Sequence, residues 1–74
     1  KRHIDEHQLA TCLRNEDYAE QFSGQVWGFF GEVSIEHQLA FAAHYTITSE
    51  ELLAAARRFS ELFGTRFPIC EMTL

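Results

Sequence analysis

No run of this chain stays apolar for the roughly 20 residues that a helix needs to cross a bilayer. No charged-then-apolar leader of the secretory kind opens it. Both observations argue against a membrane as partner. Bases are scarce, with six Lys and Arg against eleven Asp and Glu and a net charge of −5. Between residues 5 and 51 nine acids meet a single base, Arg14. Most of this surface would repel a phosphate backbone, which sets nucleic acid aside. Cysteine occurs twice, at Cys12 and Cys70, too few for a disulfide framework and too far apart for a CxxC metal pair. Each has an apolar neighbour, Leu13 or Ile69, so the expectation is two buried free thiols in a reducing, cytoplasmic setting. A Cys12–Cys70 bridge would require the two ends of the chain to meet. The first residue is Lys1 rather than Met, which reads as a fragment or a processed form.

The chain does have bulk. Its 74 residues are read as one domain, 1–74, and a chain this short buries only about 60% of its unfolded surface. Such domains often lean on a disulfide, a metal or a partner. An apolar fraction of 46% argues against disorder. Ten residues are aromatic, seven of them Phe, and part of that surplus is expected to stay exposed until another chain covers it. The acidic surface reads first as a solvated face that keeps a small domain soluble. Its functional reading is a docking surface for a basic partner.

The clearest helix signal lies in residues 45–64. Thr48 followed by Glu51 has capping-box spacing, Leu52, Ala55, Ala56, Phe59 and Phe63 recur at helical intervals, and Gly64 offers a left-handed stop. Glu50 and Glu51 sit at the positive end of the helix dipole, with Arg57 and Arg58 nearer its negative end. Residues 3–13 read as a short helix. Asn15 is a candidate cap for a second helix running through Tyr18 and Phe22. Gly24, Gly28 and Gly31 then interrupt an aromatic cluster, at about 1 kcal/mol of helix stability per interior glycine. That region reads as a helix end, a loop or a strand.

Residues 33–47 alternate apolar and polar, which is the period of a strand. Their composition, with three alanines, favours helix, and Ser34 is a fair N-cap, so a helix over 34–44 is expected. Glu-His-Gln-Leu-Ala occurs twice, at 6–10 and 36–40, and suggests a doubled helical hairpin.

Candidate chemistry is thin. His3 and His7, and His37 and His44, share helical faces but lack further ligands at recognisable spacing. No G-x-S-x-G elbow, P-loop or GxGxxG occurs. Cys12 is a nucleophile candidate, with His7 or His37 as base, yet its apolar neighbours suit an inert thiol better. The acid pairs Asp5-Glu6, Glu16-Asp17 and Glu50-Glu51 are sequence neighbours, which on a helix do not face each other. The expected working surface is Val26, Trp27, Phe29 and Phe30, since aromatics are enriched at binding hot spots and glycines admit a close backbone. The competing reading puts these rings in the domain's own core.

Ala40-x-x-x-His44-Tyr45-x-Ile47-Thr48-x-Glu50-Glu51-Leu52 resembles the second half of Nif11-type domains. There a short helix ends in Ala-x-x-x-Gly-aromatic-x-Phe-Thr-x-Glu-Glu-Leu. Asn15, Tyr18 and Phe22, with Leu9 upstream, resemble that family's Asp-x-x-Leu-x-x-x-Leu, so the likeness spans roughly residues 8–53. His44 stands where the family has Gly, and the stretch 23–33 is longer. The resemblance implies a helical segment recognised by a modifying enzyme, without catalysis of its own.

The expected fold is therefore all-α, a small domain of three or four helices with the option of two related hairpins. The alternative is α+β, with strands near 33–47 and 67–74 and a regulatory or inhibitor role through strand pairing. The expected function is a non-enzymatic protein-interaction module that binds another protein or a second copy of itself, with no cofactor and no metal.

Overall fold

The computed structural model describes residues 4–72. Among them there is no strand, and five α-helices precede one 3-10 turn: α1 (Glu6–Arg14), α2 (Glu16–Glu20), α3 (Ser23–Glu32), α4 (Ile35–His44), α5 (Ser49–Phe63) and the turn Pro68–Glu71. The all-α expectation holds. The number of helices rises from three or four to five, for reasons visible in the caps.

Asp5 starts α1 by accepting the Gln8 N–H at 2.8 Å, while the Gln8 side chain accepts the Asp5 N–H at 3.0 Å. The helix expected over 3–13 thus begins at Glu6, and His3 lies outside the described residues. Asn15 is extended, ends α1, and accepts the Tyr18 N–H at 3.1 Å to start α2. One residue therefore divides a helical stretch in two. The second helix does not run on through Phe22, because Gln21 and Phe22 turn the chain into α3.

Helix α3 forms despite its glycines. Phe22, Val26, Phe29 and Phe30 are spaced i, i+4, i+7 and i+8, and all four are buried. Burying a Phe or Val contributes about 1.5–3 kcal/mol each, which outweighs about 1 kcal/mol lost per glycine.

The strand alternative for 33–47 is overturned. Ser34 accepts the His37 N–H at 3.3 Å and α4 follows. Its inward positions are Ile35, Gln38, Leu39 and Ala42, at helical spacing. Gln38, on the polar side of the alternation, is fully buried, whereas His37, on the apolar side, is exposed. The period of two was a coincidence of composition. Of the partner strand expected over 67–74, residues 68–71 form the 3-10 turn, and 73–74 lie outside the described residues. A role through strand pairing has no strand to act through among the described residues.

The repeated pentapeptide falls into two different frames. In α1 its Gln8 is the third helical residue and closes the capping box. In α4 an extra Ile35 precedes it, so Gln38 is the fourth residue and points into the core. Equal sequences therefore do unequal work, and the doubled hairpin is not reproduced at the level of the caps.

Both α4 and α5 end in Schellman motifs. In α5 the Thr65 N–H reaches the Ser60 carbonyl at 3.0 Å and the Gly64 N–H that of Glu61 at 3.4 Å, with Gly64 at φ 65°. In α4 the Ile47 N–H reaches Ala42 at 2.8 Å and the Thr46 N–H reaches Ala43 at 3.1 Å. The left-handed residue there is Thr46, at φ 59°, a costly place for a β-branched side chain. Ile47 follows it into the core.

The start of α5 carries the expected box: Glu51 donates its N–H to the Thr48 hydroxyl at 3.0 Å, and its carboxylate accepts the Thr48 N–H at 2.9 Å. Thr48→Ala is expected to cost about 1 kcal/mol. In a domain of this size that lowers Tm by roughly 4–8 °C, read by thermal circular dichroism. An unchanged Tm would show that tertiary packing alone fixes the helix start.

The core gathers along α3 and α5. Phe30 stacks on Phe67 with centroids 5.4 Å apart and lies 6.1 Å from Phe59. Phe29 meets Phe41 of α4 at 5.1 Å. After Gly64 the chain reverses, and the Ser60 hydroxyl accepts the Phe67 N–H at 3.3 Å while lying 3.2 Å from the Cys70 sulfur.

Candidate interaction surface

Helix α3 presents two faces of different character. Val26 and Phe30 are fully buried and Phe29 is nearly so, while Trp27 keeps 43% of its surface exposed. The four residues expected to form one docking surface are therefore split between the core and the exterior, as helical geometry requires of neighbours about 100° apart. Of the four, Trp27 alone stands on the outer face.

Around it the outer face is bare. Gly24, Trp27, Gly28 and Gly31 occupy i, i+3, i+4 and i+7. A Cβ at Gly24 would meet nothing within 4 Å, and at Gly28 only a Glu32 carboxylate oxygen at 4.0 Å. At Gly31 it would rest against the Trp27 ring at 3.5 Å, an ordinary contact. The backbone at these three positions is helical, so the domain's own packing does not demand glycine there. The Trp27 ring is held from below by Phe63 and Phe67, at centroid distances of 5.9 and 5.6 Å. Phe63 was legible only as part of the α5 stripe, and nothing in its own segment marks it as the support for Trp27. Residues 21–31 carry no charged side chain, an uncharged strip in an acidic chain.

Two of the described histidines meet on one tyrosine and the third lies apart. His7 and His44 lie against the Tyr45 ring, with centroids 5.2 and 4.8 Å away, and the Tyr45 hydroxyl donates to Glu6 at 3.4 Å. Partial burial and then the Glu6 carboxylate push the Tyr45 hydroxyl above its ordinary pKa. His37 Nδ1 instead sits 2.6 Å from the Ser34 hydroxyl. No group of three His, Cys, Asp or Glu able to hold a metal ion occurs among the described residues.

Cys12 and Cys70 are free and buried. Burial pushes the Cys12 thiol up, against a smaller opposing effect of a backbone hydrogen bond, so the thiolate needed for nucleophilic attack is disfavoured. No helix among the described residues is long and apolar enough to cross a membrane.

A cleft of about 430 Å³ opens at the end of α5 between Arg57 and Arg66. Arg66 is already engaged by Glu71, whose carboxylate raises the guanidinium's pKa, and Glu61 also lines the cleft. The last carbonyls of α5 face that end, so the site is poorly suited to an anion.

Comparison with protein families, with curated proteins and with solved structures finds no match for this chain.

Proposed function

We propose that this chain is a non-enzymatic protein-interaction module that works through the outer face of α3, with a second copy of itself or another protein as partner. The observation that supports this reading is the set of three glycines around an exposed Trp27. Each glycine costs the isolated domain helix stability of up to about 1 kcal/mol, and the packing gives nothing back for it. A backbone that must come close to this helix would give it a use, and the Trp27 ring would supply the anchor. The uncharged strip 21–31 suits a second copy, with the Glu32 carboxylate, 4.0 Å from the Gly28 Cβ position, turning aside as two chains of net charge −5 meet there. Two free buried thiols support a reducing compartment such as the cytoplasm.

Sedimentation equilibrium tests the reading. Trp27→Ala is expected to weaken self-association at least about tenfold with the helical spectrum retained. Gly28→Ala is expected to move two readouts in opposite directions. It should raise Tm by a few degrees, from up to about 1 kcal/mol of added helix stability, and it should loosen the dimer. Association that survives both substitutions unchanged would remove this face from the function.

A further inference from the structure

The outer face of α3 has the same glycine pattern read from either end. Gly24 and Gly31, like Trp27 and Gly28, are placed evenly about the midpoint between Trp27 and Gly28, which is also the midpoint of the helix Ser23–Glu32. Reversing the helix therefore exchanges glycine for glycine near both ends and Trp27 for Gly28 at the centre. The Trp27 ring leans toward the C-terminal end, with Nε1 3.5 Å and Cδ1 3.7 Å from where a Gly31 Cβ would stand. On the proposed use of this outer face, we infer that the partner is a second copy packed antiparallel, α3 against α3 about a two-fold axis at that midpoint. Each indole is then enclosed between Gly31 of its own chain and Gly24 of the other copy.

Geometry and charge choose this arrangement. In the antiparallel register Gly24 stands level with Gly31 of the second copy at both ends of the seam, where neither residue has a side chain to hold the backbones apart. Glu32 stands level with Ser23 of the second copy, at the start of its α3. That start has no side-chain cap and no acid in its first turn, so a carboxylate arriving from the other copy meets the positive end of the dipole. The Glu32 carboxylate lies 4.0 Å from the Gly28 Cβ position in the single chain, and it turns to that helix start as the copies meet. A parallel pairing would instead set the two Glu32 carboxylates level with each other and align the two α3 dipoles. Residues 21–31 add no further charge to the seam. Ile4 and Met72, the first and last described residues, lie on other faces: Ile4 beside Phe29 and Val33, Met72 beside Leu39 and Leu53.

The test mixes labelled and unlabelled intact chain at a concentration where solution mass shows the dimer, and reads isotope-filtered NOEs, which report only contacts between copies. The expected result is contact from the indole protons of Trp27, the one tryptophan of the chain, to the α protons of Gly24 in the other copy. Glu32→Gln, at an exposed position, is expected to loosen the dimer by about threefold. It removes an acid from a chain of net charge −5, so relief of general repulsion, or of a parallel Glu32–Glu32 repulsion, would tighten it. Contacts from Trp27 to Gly28 or Glu32 of the other copy in place of Gly24 overturn the antiparallel register and leave the outer face as the working surface. A dimer unchanged or tightened by Glu32→Gln does the same. A chain that stays monomeric at every concentration also overturns the inference, and leaves that face only a different protein as partner. A dimer with no contact through Trp27 overturns both the register and the face.

Discussion

Replacing Phe30 by alanine is expected to leave the chain largely unfolded at 25 °C. Phe30 is fully buried and its ring meets Phe29, Phe67 and Phe59, so it joins α3, α5 and the C-terminal turn at one point. Removing a buried Phe costs about 3–5 kcal/mol through lost transfer energy and the cavity left behind. Domains of this size hold only about 3–5 kcal/mol in total unless stapled, and Cys12 and Cys70 are free. The loss therefore equals most of the stability. Urea unfolding should show the midpoint driven toward zero denaturant. Leu62→Ala, at a side chain 49% exposed on α5, should stay within about 0.5 kcal/mol of the parent. A Phe30→Ala chain that still unfolds cooperatively near the parental midpoint would show that the ring cluster is not what closes the core.

The second large effect is expected at Gln38. Its side-chain amide donates to the Val33 carbonyl at 2.8 Å and reaches that of Phe30 at 3.5 Å, so it ties the end of α3 to α4. Its own oxygen is buried without a partner. Gln38→Glu keeps the shape and, once ionised, has no donor. An ionised carboxylate would then lie among carbonyl oxygens with no water, at a cost of several kcal/mol at pH 7. The protonated acid retains one O–H for the Val33 carbonyl, so the folded variant should hold its proton more tightly than the unfolded chain, where the value is about 4.3. The sign follows from that order. The folded pKa is raised, so the variant's stability is fully present below the unfolded value and is lost as pH rises through the folded one. Melting the variant between pH 7 and pH 5 should show a gain of up to about 1.4 kcal/mol per pH unit relative to the parent. A pH response identical to that of the parent would place Gln38 in contact with solvent.

What could be read from the sequence was local. Thr48, Glu51 and Gly64 announce α5 because caps and stops act within three or four residues. Asn15 and Ser34 were readable for the same reason. Helix α3 was harder, since three glycines argue against helix and only the spacing of Phe22, Val26, Phe29 and Phe30 argues for it. That same spacing separates Trp27 from its neighbours, and a list of aromatics in sequence order conceals it. Gln38 was missed because alternation assigned it to the polar side, although Ile35, Leu39 and Ala42 share its helical face.

The reversal at Gly64 sets Phe67 against Phe30 and Trp27, and so hangs the closure of the core on the short stretch that follows Arg66. Losing the Phe67 ring would open the core at Phe30 and remove the floor beneath Trp27 together, so the outer face of α3 lasts only as long as the closure beneath it.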